Sequence, residues 1–104
     1  MKSLDRWSAD KLGIYITETY WAPEDRRTNY WGEWTLDDAR CREIVREHFK
    51  INTSFTSNGR WRSVEMKWRR KEPDNTGSYC LSAIGKTIAE AEIACIEAIK
   101  QGEE

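Results

Sequence analysis

Ile51-Asn52-Thr53-Ser54-Phe55-Thr56-Ser57-Asn58-Gly59-Arg60-Trp61-Arg62-Ser63-Val64-Glu65-Met66-Lys67-Trp68-Arg69-Arg70-Lys71 is the stretch whose reading decides the fold. From Ile51 the pattern turns over with a period of two, the side-chain period of a strand. Asn58-Gly59 interrupts it, and this dipeptide supplies the two positive-φ positions of a type I′ turn at little steric cost. The segment therefore predicts a β-hairpin. Pro73-Asp74-Asn75-Thr76-Gly77 marks a second turn and Tyr79-Cys80-Leu81-Ser82-Ala83-Ile84 a third strand, so residues 51–84 read as a three-stranded meander.

A helix follows. Thr87-Ile88-Ala89-Glu90 has the form of a capping box, in which Thr87 accepts from the Glu90 N–H and Glu90 reaches back to the Thr87 N–H. Ile88, Ala91, Cys95 and Ala98 then share a stripe with Ile99 beside it, and residues 101–104 are expected to fray. Upstream, Thr35 is placed to cap a second helix that carries Ala39, Cys41, Ile44, Val45, His48 and Phe49 on its apolar side. Residues 22–33 lack periodicity and read as a loop. Residues 13–20, rich in β-branched and aromatic side chains, predict a strand. Residues 3–12 predict a first helix, capped by Ser3 and stopped by Gly13.

The resulting order, α-β-α-β-β-β-α, defines an α+β fold. It predicts a mostly antiparallel four-stranded sheet, built from the meander and the N-terminal strand. Three helices pack on it, and coverage of both faces, an α/β/α sandwich, is the expectation. At 104 residues the chain fits a single domain, 1–104. Mean hydropathy is low and 34% of residues are charged, yet six Trp, four Tyr and two Phe give the chain a core that disordered segments lack.

Net charge is −1, so affinity for nucleic acid or a membrane would have to come from a local patch. No apolar run is long enough for a membrane span, and residues 1–6 lack a signal-like apolar region, which makes the cytoplasm the expected compartment. Cys41, Cys80 and Cys95 are odd in number and widely spaced, and so are expected to be free thiols. With His48, the single histidine, they lack the close ligand spacing of zinc modules, and no metal or cofactor is expected.

Residues 82–99, from Ser82-Ala83-Ile84-Gly85-Lys86-Thr87 into the Ala-rich helix, resemble the closing strand–Gly–helix of the phage ABA sandwich domain. Trp34-Thr35-Leu36-Asp37-Asp38-Ala39 resembles the tryptophan-flanked start of that family's middle helix. The resemblance implies a layered arrangement and a phage or prophage origin. The family has no agreed catalytic residues, so none is carried over.

Catalytic patterns are thin. His48 lies on the apolar side of its helix, where a boundary role is the simplest reading. Gly85-Lys86-Thr87 has the ending of a phosphate-binding loop, but that motif needs a glycine where Cys80 stands. Glu90, Glu92 and Glu97 read as a capping group and a solvated face. The unusual surface is residues 60–71, with six basic residues against one acidic. Alternation puts Trp61, Lys67, Arg69 and Lys71 on a solvent face, and turns Val64, Met66 and Trp68 to the core. Arg60, Trp61, Arg62, Lys67, Arg69, Arg70 and Lys71 form the candidate binding surface. Two readings follow. One is a non-enzymatic phage accessory protein that binds a host macromolecule, such as a bacterial defence complex. The other is a small nucleic-acid-binding module. Charge that merely protects an edge strand is the third possibility.

Overall fold

The computed structural model describes residues 3–70 and 77–103. In chain order these form α1 (Leu4–Leu12), β1 (Tyr15–Ile16), β2 (Tyr20–Ala22), β3 (Tyr30–Trp31), α2 (Ala39–Phe49), β4 (Ile51–Phe55), β5 (Trp61–Glu65), β6 (Arg69–Arg70), β7 (Ser78–Tyr79), β8 (Ser82–Gly85) and α3 (Ile88–Glu103). The α+β class is as expected, and β4, β5 and β8 pair in the order of the expected 51–84 meander. Its second and third strands are each broken, however, β6 and β7 form a separate sheet, and residues 73–76 of the expected second turn lie outside the described residues. The single four-stranded sheet is replaced by three antiparallel sheets, ordered β1-β2-β3, β4-β5-β8 and β6-β7.

The N-terminal strand leaves the meander's sheet because it folds on itself. Thr17 Oγ1 accepts the Thr19 and Tyr20 N–H groups, and the Thr17 N–H donates to the Tyr20 carbonyl, closing a tight turn inside the expected strand. The 22–33 segment then contributes β3 rather than a bare loop, because aromatic packing draws it in. Trp21, fully buried, stacks on Tyr30 at 4.3 Å and meets Trp34 edge-on at 4.8 Å. Trp34 Nε1 donates to the Asp5 carbonyl (3.0 Å) and to Ser8 Oγ (3.2 Å), and the Leu36 N–H donates to Asp5 Oδ1 (2.9 Å). These bonds staple 34–36 to α1 and delay the second helix. Thr35 heads a turn, its Oγ1 accepting from the Asp37 N–H, and Asp38 is the cap, accepting from the Arg40 N–H at 2.8 Å.

The central hairpin also turns differently. Gly59 has φ 80° but Asn58 has no positive φ. The Gly59 N–H donates to the Thr56 carbonyl, and the Thr56 N–H to the Arg60 carbonyl. This is a three-residue loop, a type I turn closed by a left-handed glycine, instead of a two-residue I′ turn. In the resulting register Ile51 opposes Glu65, while Thr53, Ser63 and Ala83 line up across the sheet. That row faces the helices. Asn52, Ser54, Arg62, Ser82 and Ile84 are exposed on the other face with Val64 half-buried, so among the described residues one face of this sheet is uncovered. The layering is helices on one face, not both.

α3 supplies that cover. Its buried positions are Ala91, Glu92, Cys95, Ile96, Ile99 and Lys100, a stripe displaced from the expected one, with Ile88 41% exposed and Ala98 half-buried. The helix continues through Glu103, past the expected fraying point, and Glu103 pairs with Lys11 of α1 at 3.1 Å. Thr87 Oγ1 accepts from the Glu90 N–H as the capping box requires, whereas Glu90 Oε2 accepts from Lys86 rather than from Thr87. α1 and α2 pack against α3, and Trp7, Leu36, Val45, Ile51, Cys95 and Ile99 belong to one buried cluster.

Glu92 is not on a solvated face. It is 3% exposed, accepting from Arg42 Nε (3.3 Å) and Arg46 Nη1 (3.1 Å) of α2 and from Thr53 Oγ1 (3.1 Å) of β4. Since the Thr53 proton goes to the carboxylate, the 2.7 Å contact between Thr53 and fully buried Ser63 is a Ser63 donation. One carboxylate thus links α2, α3, β4 and β5. Glu92→Ala, which strands Arg42 among buried neighbours, is expected to destabilise the protein by about 3 kcal/mol. The denaturant midpoint reads this.

Gly85 sits where α3 and β8 come closest. A Cβ there would lie 2.6 Å from the Ala91 backbone nitrogen and 2.8 Å from Glu90 Cβ. Gly85→Ala is therefore expected to lose about 1–3 kcal/mol through forced separation of helix and strand. A melt unchanged by the extra methyl would contradict the close approach.

Candidate functional site

β5 ends at Glu65, and the chain does not continue as the straight strand that alternation implied. The Lys67 N–H donates to the Glu65 carbonyl (2.8 Å), a tight turn, and the Met66 N–H donates to the Lys50 carbonyl (2.9 Å). Glu65, 2% exposed, is met by Arg69 through Nε to Oε1 (3.0 Å) and Nη2 to Oε2 (3.3 Å). This two-pronged pair pins both ends of the turn and pushes residues 66–68 outward as a shoulder. Hydrogen bonding to Glu65, and after it the charge of that carboxylate, raises the Arg69 pKa above its ordinary value, so the guanidinium stays charged and engaged.

The shoulder corrects the expected orientation. Met66 is 62% and Trp68 75% exposed, not inward, and Val64 is only half-buried. The inward positions are Ser63 and Glu65, polar residues whose partners wait on other elements. Arg69 is committed to Glu65 instead of facing solvent. Trp61 is half-buried and packs edge-on to Phe55 at 5.1 Å. Arg60, Arg62, Lys67 and Arg70 are exposed and make no ion pair among the described residues, and Lys71 lies outside those residues. The proposed surface is thus split. Arg62 belongs to the open sheet face, whereas Lys67 and Arg70 flank Trp68.

Two concavities meet at His48, and one of them reaches this shoulder. One, of about 560 Å³, has an apolar floor from Leu12, Ile14, Pro23 and Ile44 and a rim from Glu24, Asp25 and Glu47. The other, of about 410 Å³, includes Lys50, Met66 and Lys67. His48 lines both. It is exposed and meets Phe49 edge-on at 4.8 Å, where the helical pattern had placed it on the apolar side. Nothing in the sequence marks the groove, because its walls come from α1, the segments just before β1 and just after β2, and α2.

Among the described residues no three His, Cys, Asp or Glu side chains gather as a metal-binding group, and no helix is long and apolar enough to cross a membrane. Lys86 and Thr87 form a turn and a helix cap. The chain matches no family model, no curated protein and no solved structure.

The three thiols are free and differ in environment: Cys41 and Cys95 are buried, and Cys80 is partly exposed. Burial first, and then the nearby Glu65 carboxylate, push the Cys95 thiol up to about 11, and burial raises Cys41 as well. The folded state therefore holds protons that the unfolded chain releases above roughly pH 8.5. Stability contributed by these thiols is complete below that pH and is lost as pH rises towards 11. At pH 8 a thiol reagent is expected to label Cys80 quickly, and Cys41 and Cys95 only on unfolding. Peptide mapping after a timed pulse tests this.

Proposed function

We propose that the chain is a non-enzymatic accessory protein, of phage or prophage origin, that acts in the bacterial cytoplasm by docking on a host protein such as a component of a defence complex. The observation that carries the docking is the Met66–Trp68 shoulder. Two large apolar side chains stand in solvent on a turn that a buried ion pair holds in shape. Exposed Trp anchors beside cations are typical of the few residues that dominate protein interfaces. The ion pair means that little conformational freedom is lost on binding. The origin and the compartment rest on the likeness of residues 34–39 and 82–99 to the phage ABA sandwich domain.

A nucleic-acid reading has one observation in its favour, since Lys67 and Arg70 flank an exposed indole on which a base could stack. The engagement of Arg69 with Glu65 weakens it by removing a cation from the surface. Phosphate-driven affinity falls steeply with salt, while an apolar anchor is nearly indifferent to it.

Trp68→Ala leaves the fold within about 0.5 kcal/mol, because the ring is exposed. It is expected to weaken binding to a purified host partner by about 2 kcal/mol or more. Calorimetry at low and high salt with parent and variant reads both effects. Equal affinity of the two proteins for that partner would sink the shoulder as the docking surface.

A further inference from the structure

The shoulder and the groove are chemical complements carried by one chain. The shoulder offers Met66 and Trp68 with Lys67 between them, and the groove offers an apolar floor under Glu24 and Glu47. The groove is shallow and open, with room for an indole to lie against its apolar floor. The two basic residues adjacent in sequence to this rim are engaged elsewhere, Arg26 at 4.3 Å from the Tyr15 ring centroid and Arg46 on the Glu92 carboxylate. The shoulder leaves its own groove unfilled: Met66 and Lys67 line the neighbouring hollow and Trp68 stands in solvent.

We propose that two copies of this chain form a two-fold dimer in which the Met66–Trp68 shoulder of each seats in the acidic-rimmed groove of the other. Donor and acceptor patches that share one boundary residue, His48, allow a single rotation to satisfy both contacts. The interface is then isologous and closes at two subunits instead of growing into a filament. Each insertion buries about one Trp and one Met, so the area lies at the low end of specific interfaces and the dimer dissociates in the micromolar range, about 1–100 µM. The inference shares the shoulder with the host-docking reading but needs no host protein. Self-association would keep the anchor covered until a partner displaces it.

Sedimentation velocity across that concentration range tests the dimer with a charge swap between two exposed residues. Wild type is expected to pass from monomer to dimer. Glu47→Lys alone and Lys67→Glu alone should each weaken association by about tenfold or more, through like charges opposed twice per dimer. An equimolar mixture of the two variants should recover it as a heterodimer, since both of its contacts are again opposite in sign. Trp68→Ala should abolish it without changing the thermal melt. A wild-type monomer throughout, a mixture that stays monomeric, or a Trp68→Ala dimer as tight as the parent overturns the proposal. The first of these leaves host docking standing. Conversely, a proven dimer whose Trp68→Ala variant still binds the host partner retains this inference and removes the other.

Discussion

α2, α3 and the β4-β5-β8 sheet meet at the Glu92 carboxylate. Two arginines from α2 and a hydroxyl chain from β4 and β5 converge on it, and α3 brings it there. A charge this buried is tolerable only when its acceptor positions are filled, so the helix and sheet can approach in one alignment. Arg42 also donates to the carbonyls of Leu36 and Asp37, which extends the same constraint to the turn before α2. The apolar contacts of Val45, Ile51, Cys95 and Ile96 supply the bulk of the burial. They are less selective about register, and the polar knot selects among the alignments they would permit.

Glu65 repeats the device at the other end of the covered face. There the partner is local, four residues along the chain, and the product is a shaped surface instead of a docked helix. The two carboxylates thus divide the work, one aligning the layers and one presenting Trp68. Both stand where a binary reading of the sequence wants an apolar residue, which is why the hairpin phase was misjudged. Val64, Met66 and Trp68 are a convincing inward triplet until Ser63 and Glu65 are seen to have partners 10 and 4 residues away at Thr53 and Arg69.

What was legible came from local chemistry. Ser3, Gly13, Thr87 and Glu90 announce the ends of α1 and α3 through backbone capping that depends on nearby residues alone. The β4–β5 hairpin follows from Asn58-Gly59, although its loop has three residues instead of two. What was illegible depended on contacts far along the chain. Trp34 reaching Asp5 and Ser8 moved the start of α2 from Thr35 to Asp38, and Trp21 stacking on Tyr30 made a strand of an apparent loop. The basic run at 60–71 was visible as composition, but its division between the open sheet face and the shoulder required the bend at Glu65. The groove, assembled from three separated elements, left no trace in any window of sequence.

α3 follows in sequence every element that it covers, and this bears on the order in which the fold can form. Until residues 88–103 leave the ribosome, α2 carries two arginines without their carboxylate, and the covered face of β4 and β5 has no helix on it. β8, the third strand of that sheet, emerges only just before. A chain that lacks α3 therefore gains little from partial folding, and α2 and this sheet reach their native packing together with it. Truncation before residue 88 leaves both arginines without their carboxylate and one more sheet face open, which makes the product a target for proteolysis.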